Sequence, residues 1–336
     1  MRHRTRQIAR RVPLLAVLAA VISWAPAGAA AAGSVTAGTA HGAAWQARAP
    51  LPVAQGGLAT ATVGGQILAI GGFSSNFNAA LPTVQAYNPR TNNWQTLAPM
   101  PTARGDLAAA TAGGRVYAIG GLDAAGNPMA TVEIYRAASN TWTAGTPLPV
   151  PLGGDAAVAL GDKVYVFGGY DTSGAAVATV EVYDIDTGTW SQAAPMPTAR
   201  GLLRVTASRG LIYAIGGADS NGDPVAAVEV YHPAANRWTK ARPLSVPREG
   251  AGVATTTDGR IVVIGGCCTA AHRFYQTAEI YQPRTGRWQP FPGLPVPRAG
   301  LAAAPGPCGL IYAIAGFQGE PPNTPASHLL DAIRVR

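Results

Sequence analysis

Three observations predict an all-β chain folded as a propeller of six four-stranded blades. A hydrophobic run ending in a pair of small residues recurs six times, and its last glycines are spaced 49, 48, 48, 49 and 50 residues apart. Five tyrosines (Tyr87, Tyr135, Tyr183, Tyr231, Tyr281) each precede a tryptophan (Trp94, Trp142, Trp190, Trp238, Trp288) by seven residues. Glycine and proline, 41 and 28 of 336 residues, punctuate the chain at the density that many short strands and tight turns require. Four antiparallel strands repeated about every 40–50 residues make propeller blades.

Each unit reads as four strands in order. A run of small residues such as Ala108 to Thr111 comes first, and a glycine turn leads to the run ending in Gly-Gly. A Val-Glu-Val-Tyr type strand follows, and after an Asn/Asp/Gly turn the Trp strand closes the unit. Glycine ending the second strand suits a backbone that needs positive φ or a neighbour's close approach. The sixth unit stops one strand short, without its Trp, while an unmatched Trp45 lies 49 residues before Trp94. The N-terminal strand is therefore expected to complete the last blade, which closes the ring and removes an open sheet edge.

The Gly-Gly, Tyr and Trp at these offsets resemble Kelch repeats over residues 45–336. The resemblance implies a rigid propeller that binds partners through its loops. Strands alternate in direction, so the segments 73–83, 122–131, 170–179, 218–227, 267–277 and 317–328 share one face, here called the top. Long loops on one face of a repeat scaffold are the usual place for contacts.

Just before the first strands stand Arg104, Arg200, Arg248 and Arg298, with Gln55 and Leu152 in the other two units. Two readings stay open for these arginines. They ring the channel mouth and take a carboxylate, phosphate or acidic peptide through their forked donors, or each ties its loop to a neighbouring blade. In Kelch domains of the eukaryotic adaptor type, similar arginines read acidic peptides. Arg204 breaks the pattern: four residues on from the arginine position, the other units have Ala59, Ala108, Ala156, Gly252 and Ala302. A guanidinium there must reach channel water or find a partner, and Asp106 and Glu249 are placed near it. The non-repeating top aromatics Phe73, Tyr170 and Phe317 are further candidates for ligand contact, whereas the repeating Trp and Tyr are expected to pack between blades.

The amino terminus carries five arginines in its first eleven residues, then an apolar run from Leu14 to Trp24, then small residues. These are the three parts of a secretory signal peptide. Residues 1–32 are read as that signal, 33–43 as a flexible linker and 44–336 as the propeller, with an uncleaved membrane anchor as the alternative. The formal charge of +8 falls to +3 without the first eleven residues, and lysine occurs only at Lys163 and Lys240. Such a balance speaks against a nucleic-acid partner. The expected protein is a secreted monomer whose partner is an extracellular protein or glycan, with no stable membrane insertion after signal cleavage.

Three cysteines leave an odd one in an exported chain. Cys267 and Cys268 begin a top loop, while Cys308 falls in a bottom turn, too far for a bridge. Cys308 is expected unpaired, and Cys267 and Cys268 are either two thiols or a vicinal disulfide. Although Cys267, Cys268, His272 and His328 are suitable ligand types, nothing fixes their geometry, and neither metal nor cofactor is expected. The expected function is a non-catalytic binding scaffold acting through its top loops. The alternative is a carbohydrate mutarotase or epimerase, because bacterial sialic-acid mutarotases are similar exported six-bladed Kelch proteins. That resemblance implies Arg204, Arg248 and Glu249 as its site residues.

Overall fold

The computed structural model describes residues 44–268, 273–319 and 323–335. The signal-peptide and linker assignments, and His272, lie outside these residues. Six four-stranded antiparallel sheets are arranged around one axis. Blade 2 illustrates the unit: Ala108–Ala112, Arg115–Ile119, Val132–Arg136 and Thr141–Ala144 run from axis to rim. Its second strand is buried after the first residue, as expected for a strand covered on both faces.

Ring closure is as the unmatched Trp45 implied. The short strand Gln46–Ala47 pairs antiparallel with Leu330–Arg334, so the last sheet contains both ends of the described chain. Trp45 fills the role of the missing tryptophan, donating its indole N–H to the Pro292 carbonyl and packing edge-on against Phe291. The other blades repeat this seam. Trp94, Trp142, Trp190, Trp238 and Trp288 donate to the carbonyls of Ala49, Ala98, Thr146, Ala194 and Arg242 respectively.

Between neighbouring blades lie six apolar clusters, each built from the facing strands of two blades. In the seam between blades 1 and 2, for example, Ala59 and Ala61 meet Leu107 and Val116. Small residues on the innermost strands allow six blades to crowd round the axis. They line a central channel of about 390 Å³ whose walls are mainly Ala, Val and Thr.

At the top of that channel the backbone forms a collar. The N–H of Gly57 donates to Gly300, Asp106 to Gly57, Gly154 to Asp106, Leu202 to Gly154 and Gly250 to Leu202, at 2.7 to 3.1 Å. All six residues have positive φ, which Gly57, Gly154, Gly250 and Gly300 adopt without Cβ strain. Asp106 (φ 44°) and Leu202 (φ 50°) are the two non-glycine members, so the collar holds strained backbone at these points.

Candidate site at the top of the channel

The recurring arginines do not line an open mouth. Arg104, Arg200, Arg248 and Arg298 are 0–2% exposed, and each is turned into its own blade. Arg104 is bonded to Glu133 and the Ala118 carbonyl, and Arg200 to Glu229 at 2.9 Å and the Ala214 carbonyl. Arg248 lies 3.6 Å from Glu279 and donates to the Gly265 and Thr277 carbonyls. Arg298 pairs with Asp331 and reaches the Ala315 and Leu329 carbonyls. These are clamps from an inter-blade connection to the second and third strands of the blade that it enters, not ties to a neighbouring blade. Their terminal Nη1 and Nη2 groups are committed internally, which is how a charge survives burial, while the Nε–H of Arg104, Arg200 and Arg298 is buried without a partner among the described residues.

Blades 1 and 3 show what the clamp needs. Gln55 faces Gln85, a neutral pair joined at 2.9 Å. Blade 3 has Leu152 in place of the cation, and its buried Glu181 receives a bond only from Gln192, leaving Oε2 without a partner.

Phe73, Tyr170 and Phe317 are likewise buried, at 0, 7 and 4% exposure, and their side chains are not free for a ligand. With Leu122, Leu202 and Ala176 they form an apolar rosette above the collar. Each large side chain leans over the glycine that follows the arginine position in the next blade. A Cβ on Gly105 would lie 2.2 Å from Phe73, on Gly153 2.1 Å from Leu122, on Gly201 2.2 Å from Tyr170, and on Gly56 2.5 Å from Phe317. In the remaining two blades the rosette position holds only Ala218 and Cys267, and the next blade correspondingly carries Glu249 and Ala299. The rosette is therefore thin beside Glu249, which stands where four blades require glycine.

Glu249 is one of four charged residues that replace a small or apolar residue near the start of strand one. Asp106 takes a collar position that is glycine in four blades. Asp155 replaces the Leu of Leu58, Leu107, Leu203 and Leu301, and Arg204 replaces Ala or Gly. The four come from blades 2, 3, 4 and 5; Asp106, Arg204 and Glu249 interact at the upper end of the channel, while Asp155, near Asp106, is buried in the seam between blades 2 and 3. Arg204 reaches across it, donating Nε–H to the Ala251 carbonyl at 2.9 Å, with weaker contacts to Leu203 and Leu301. Its charge helps the Asp106 carboxylate, but desolvation dominates and raises the Asp106 pKa to about 6. Desolvation, then repulsion by Asp106, lifts Glu249 to about 7. Both side chains are only partly exposed and closely surrounded by protein, so water hydrates them poorly. Asp155 is 2% exposed, and neither carboxylate oxygen receives a well-directed bond. Burial raises it well above the ordinary range despite nearby amides of Asp155 and Gly121.

The sulfurs of Cys267 and Cys268 are joined, and Cys308 is free and exposed. The Glu249 carboxylate lies beside the pair, with all three donor atoms within 4.8 Å of one another. Sulfurs bonded to each other offer no thiolate to a metal. No helix among the described residues is long and apolar enough to cross a membrane.

Six closed blades, one interior arginine clamp in most of them and the Gly-Gly/Tyr/Trp pattern define a repeat propeller of the Kelch class. The chain belongs to the Kelch-repeat family: the model described as the KLHDC2/KLHL20/DRC7 Kelch-repeats domain matches residues 57–266 and 108–316. No curated protein matches the chain. Among solved structures, one titled "Structure of YjhT" superposes with a TM-score of 0.73 at 17% identity, covering 85% of this chain and 97% of that one. At that identity the likeness is one of fold.

Proposed function

We propose that this Kelch propeller is an extracellular, monomeric binding scaffold without catalytic activity. Its top loops hold a protein or glycan, and a polar tip of that ligand meets Arg204, Asp106 and Glu249 at the axis. The observation that carries this reading is the convergence of three charged departures from the repeat, Arg204, Asp106 and Glu249, at the upper end of the channel. Packing alone would have kept Gly, Ala or Leu there, and each departure carries a desolvation or strain cost that a ligand can offset. Thermal-shift screening against neutral and acidic monosaccharides, and against acidic peptides, tests it. A stabilising ligand is expected whose effect disappears in Arg204→Ala. A shift of equal size in that variant would place the ligand elsewhere.

A mutarotase is the second reading, favoured by two carboxyls that titrate near neutrality beside a guanidinium. Ring opening of a sugar needs one group to take the anomeric hydroxyl proton while another protonates the ring oxygen as the C–O bond breaks. Reclosure on the other face reverses both transfers, so no cofactor is consumed. Glu249 and Asp106 have suitable pKa values, and Arg204 would hold a sugar carboxylate. Exchange between sialic-acid anomers, followed by NMR, decides between the readings. Acceleration that vanishes in Glu249→Gln and Arg204→Ala would replace the scaffold reading; an uncatalysed rate would retain it.

A further inference from the structure

The rim holds a second departure from the repeat, independent of the axis. The carbonyl that accepts each tryptophan N–H belongs to Ala49, Ala98, Thr146, Ala194 or Pro292 at five seams, but to Arg242 at the seam between blades 4 and 5. The residue before each tryptophan is Ala44, Asn93, Thr141 or Thr189 in four cases, but Arg237 and Arg287 in blades 4 and 5. Lys240 and Arg284 add two more cations to the same pair of outer edges, and all five are exposed. Residues 232–248 and 280–319 contain no Asp or Glu, and none of the five cations forms an ion pair among the described residues.

The seam is also concave. Arg242, Pro243, Leu244, Ser245, Arg287 and Trp288 line a groove of about 520 Å³. We infer that this groove binds the acidic groups of a polyanionic polysaccharide, with Arg242 and Arg287 as its principal forks. Arginine presents a planar donor pair that matches carboxylate or sulfate, and the clustered cations attract a chain bearing repeated negative charge. A groove accepts a chain better than it accepts a bilayer, and the exposed large apolar residues, Val53, Val150 and Val296, lie outside it. Single-stranded nucleic acid relies on aromatic stacking platforms. Here Trp238 and Trp288 are only partly exposed, packed on Tyr231 and Tyr281 with their N–H groups tied to backbone.

Titration calorimetry with polygalacturonate at low ionic strength tests this. Wild-type protein should bind, and added salt should weaken the binding. The double variant Arg242→Ala/Arg287→Ala should lose about tenfold or more, whereas Arg90→Ala/Arg136→Ala, which removes equal charge from blades 1 and 2, should stay within about twofold. Circular dichroism confirms that each variant folds, and Arg204→Ala should bind polygalacturonate like wild type, which separates this groove from the axial site. The proposal is overturned by absent wild-type binding, by equal losses in the two double variants, or by tighter capture of anionic phospholipid vesicles or oligothymidylate than of polygalacturonate.

Discussion

Asp155 shows how much a single position can reveal. It lies between blades 2 and 3, where a Cβ added to Gly120 would meet its Oδ1 at 2.7 Å, and four other blades place leucine there. A buried carboxyl without directed partners costs about 1–3 kcal/mol. Asp155→Leu should therefore stabilise the fold by roughly that amount in urea titrations; unchanged stability would mean that water or a ligand satisfies the carboxyl. Asp155, Asp106 and Glu249 all have raised folded-state pKa values, so the folded chain keeps protons that the unfolded chain releases above about pH 4. Their linkage makes stability fall as pH rises from about 4 towards 7. For the half-buried Asp123 and Asp171, desolvation is outweighed by hydrogen bonds from their own loops, so both are held low and act oppositely, losing stability as pH falls from about 4 through their lowered values. The melting temperature should be higher near pH 5 than near pH 8, and Asp155→Leu should shrink that difference. Arg204 was legible as a departure from the repeat, but Asp155 was not, because it replaces a leucine in an inter-blade seam and carries no motif. The aromatic positions misled for a related reason. Phe73 and Tyr170 follow Gly-Gly, and Phe317 follows Ala-Gly, in what reads as an open loop, and their burial depends on a glycine one blade away.

At the scale of the element, the unit of interest is the clamp between an inter-blade connection and the third strand. Its arginine recurs visibly, while its partner was concealed inside the Val-Glu-Val-Tyr strand. Blade 1 carried the clue, since Gln55 and Gln85 change together. This comparison sets a prediction for blade 4. Arg200→Leu leaves Glu229 buried and unpaired, and should cost about 3–5 kcal/mol of stability. Arg200→Gln combined with Glu229→Gln recreates the blade 1 pair and should cost much less. Chemical denaturation of the two variants measures the gap, and equal losses would show that the clamp acts through packing rather than charge pairing.

The whole molecule was the most legible level, because six copies of one pattern give six independent readings of the same fold. Closure followed from one stray tryptophan, Trp45, and rests on a two-residue strand, an indole hydrogen bond and one aromatic contact, continued by backbone bonds from Arg48 and Leu51 to Leu330 and His328. Deleting residues through Arg48 should expose the edge of Leu330–Arg334 and lower the melting temperature. It should also produce concentration-dependent dimers in light scattering, as bare edges seek another strand; a deletion variant as stable and monomeric as the parent would show that closure contributes little. The channel collar has a different consequence. Its five hydrogen bonds all point the same way around the axis, so their peptide dipoles run head to tail in a circle and largely cancel at the centre. Unlike the end of a helix, this throat has no built-in polarity of its own, and the sign of whatever can rest there is set by the side chains that interrupt the repeat.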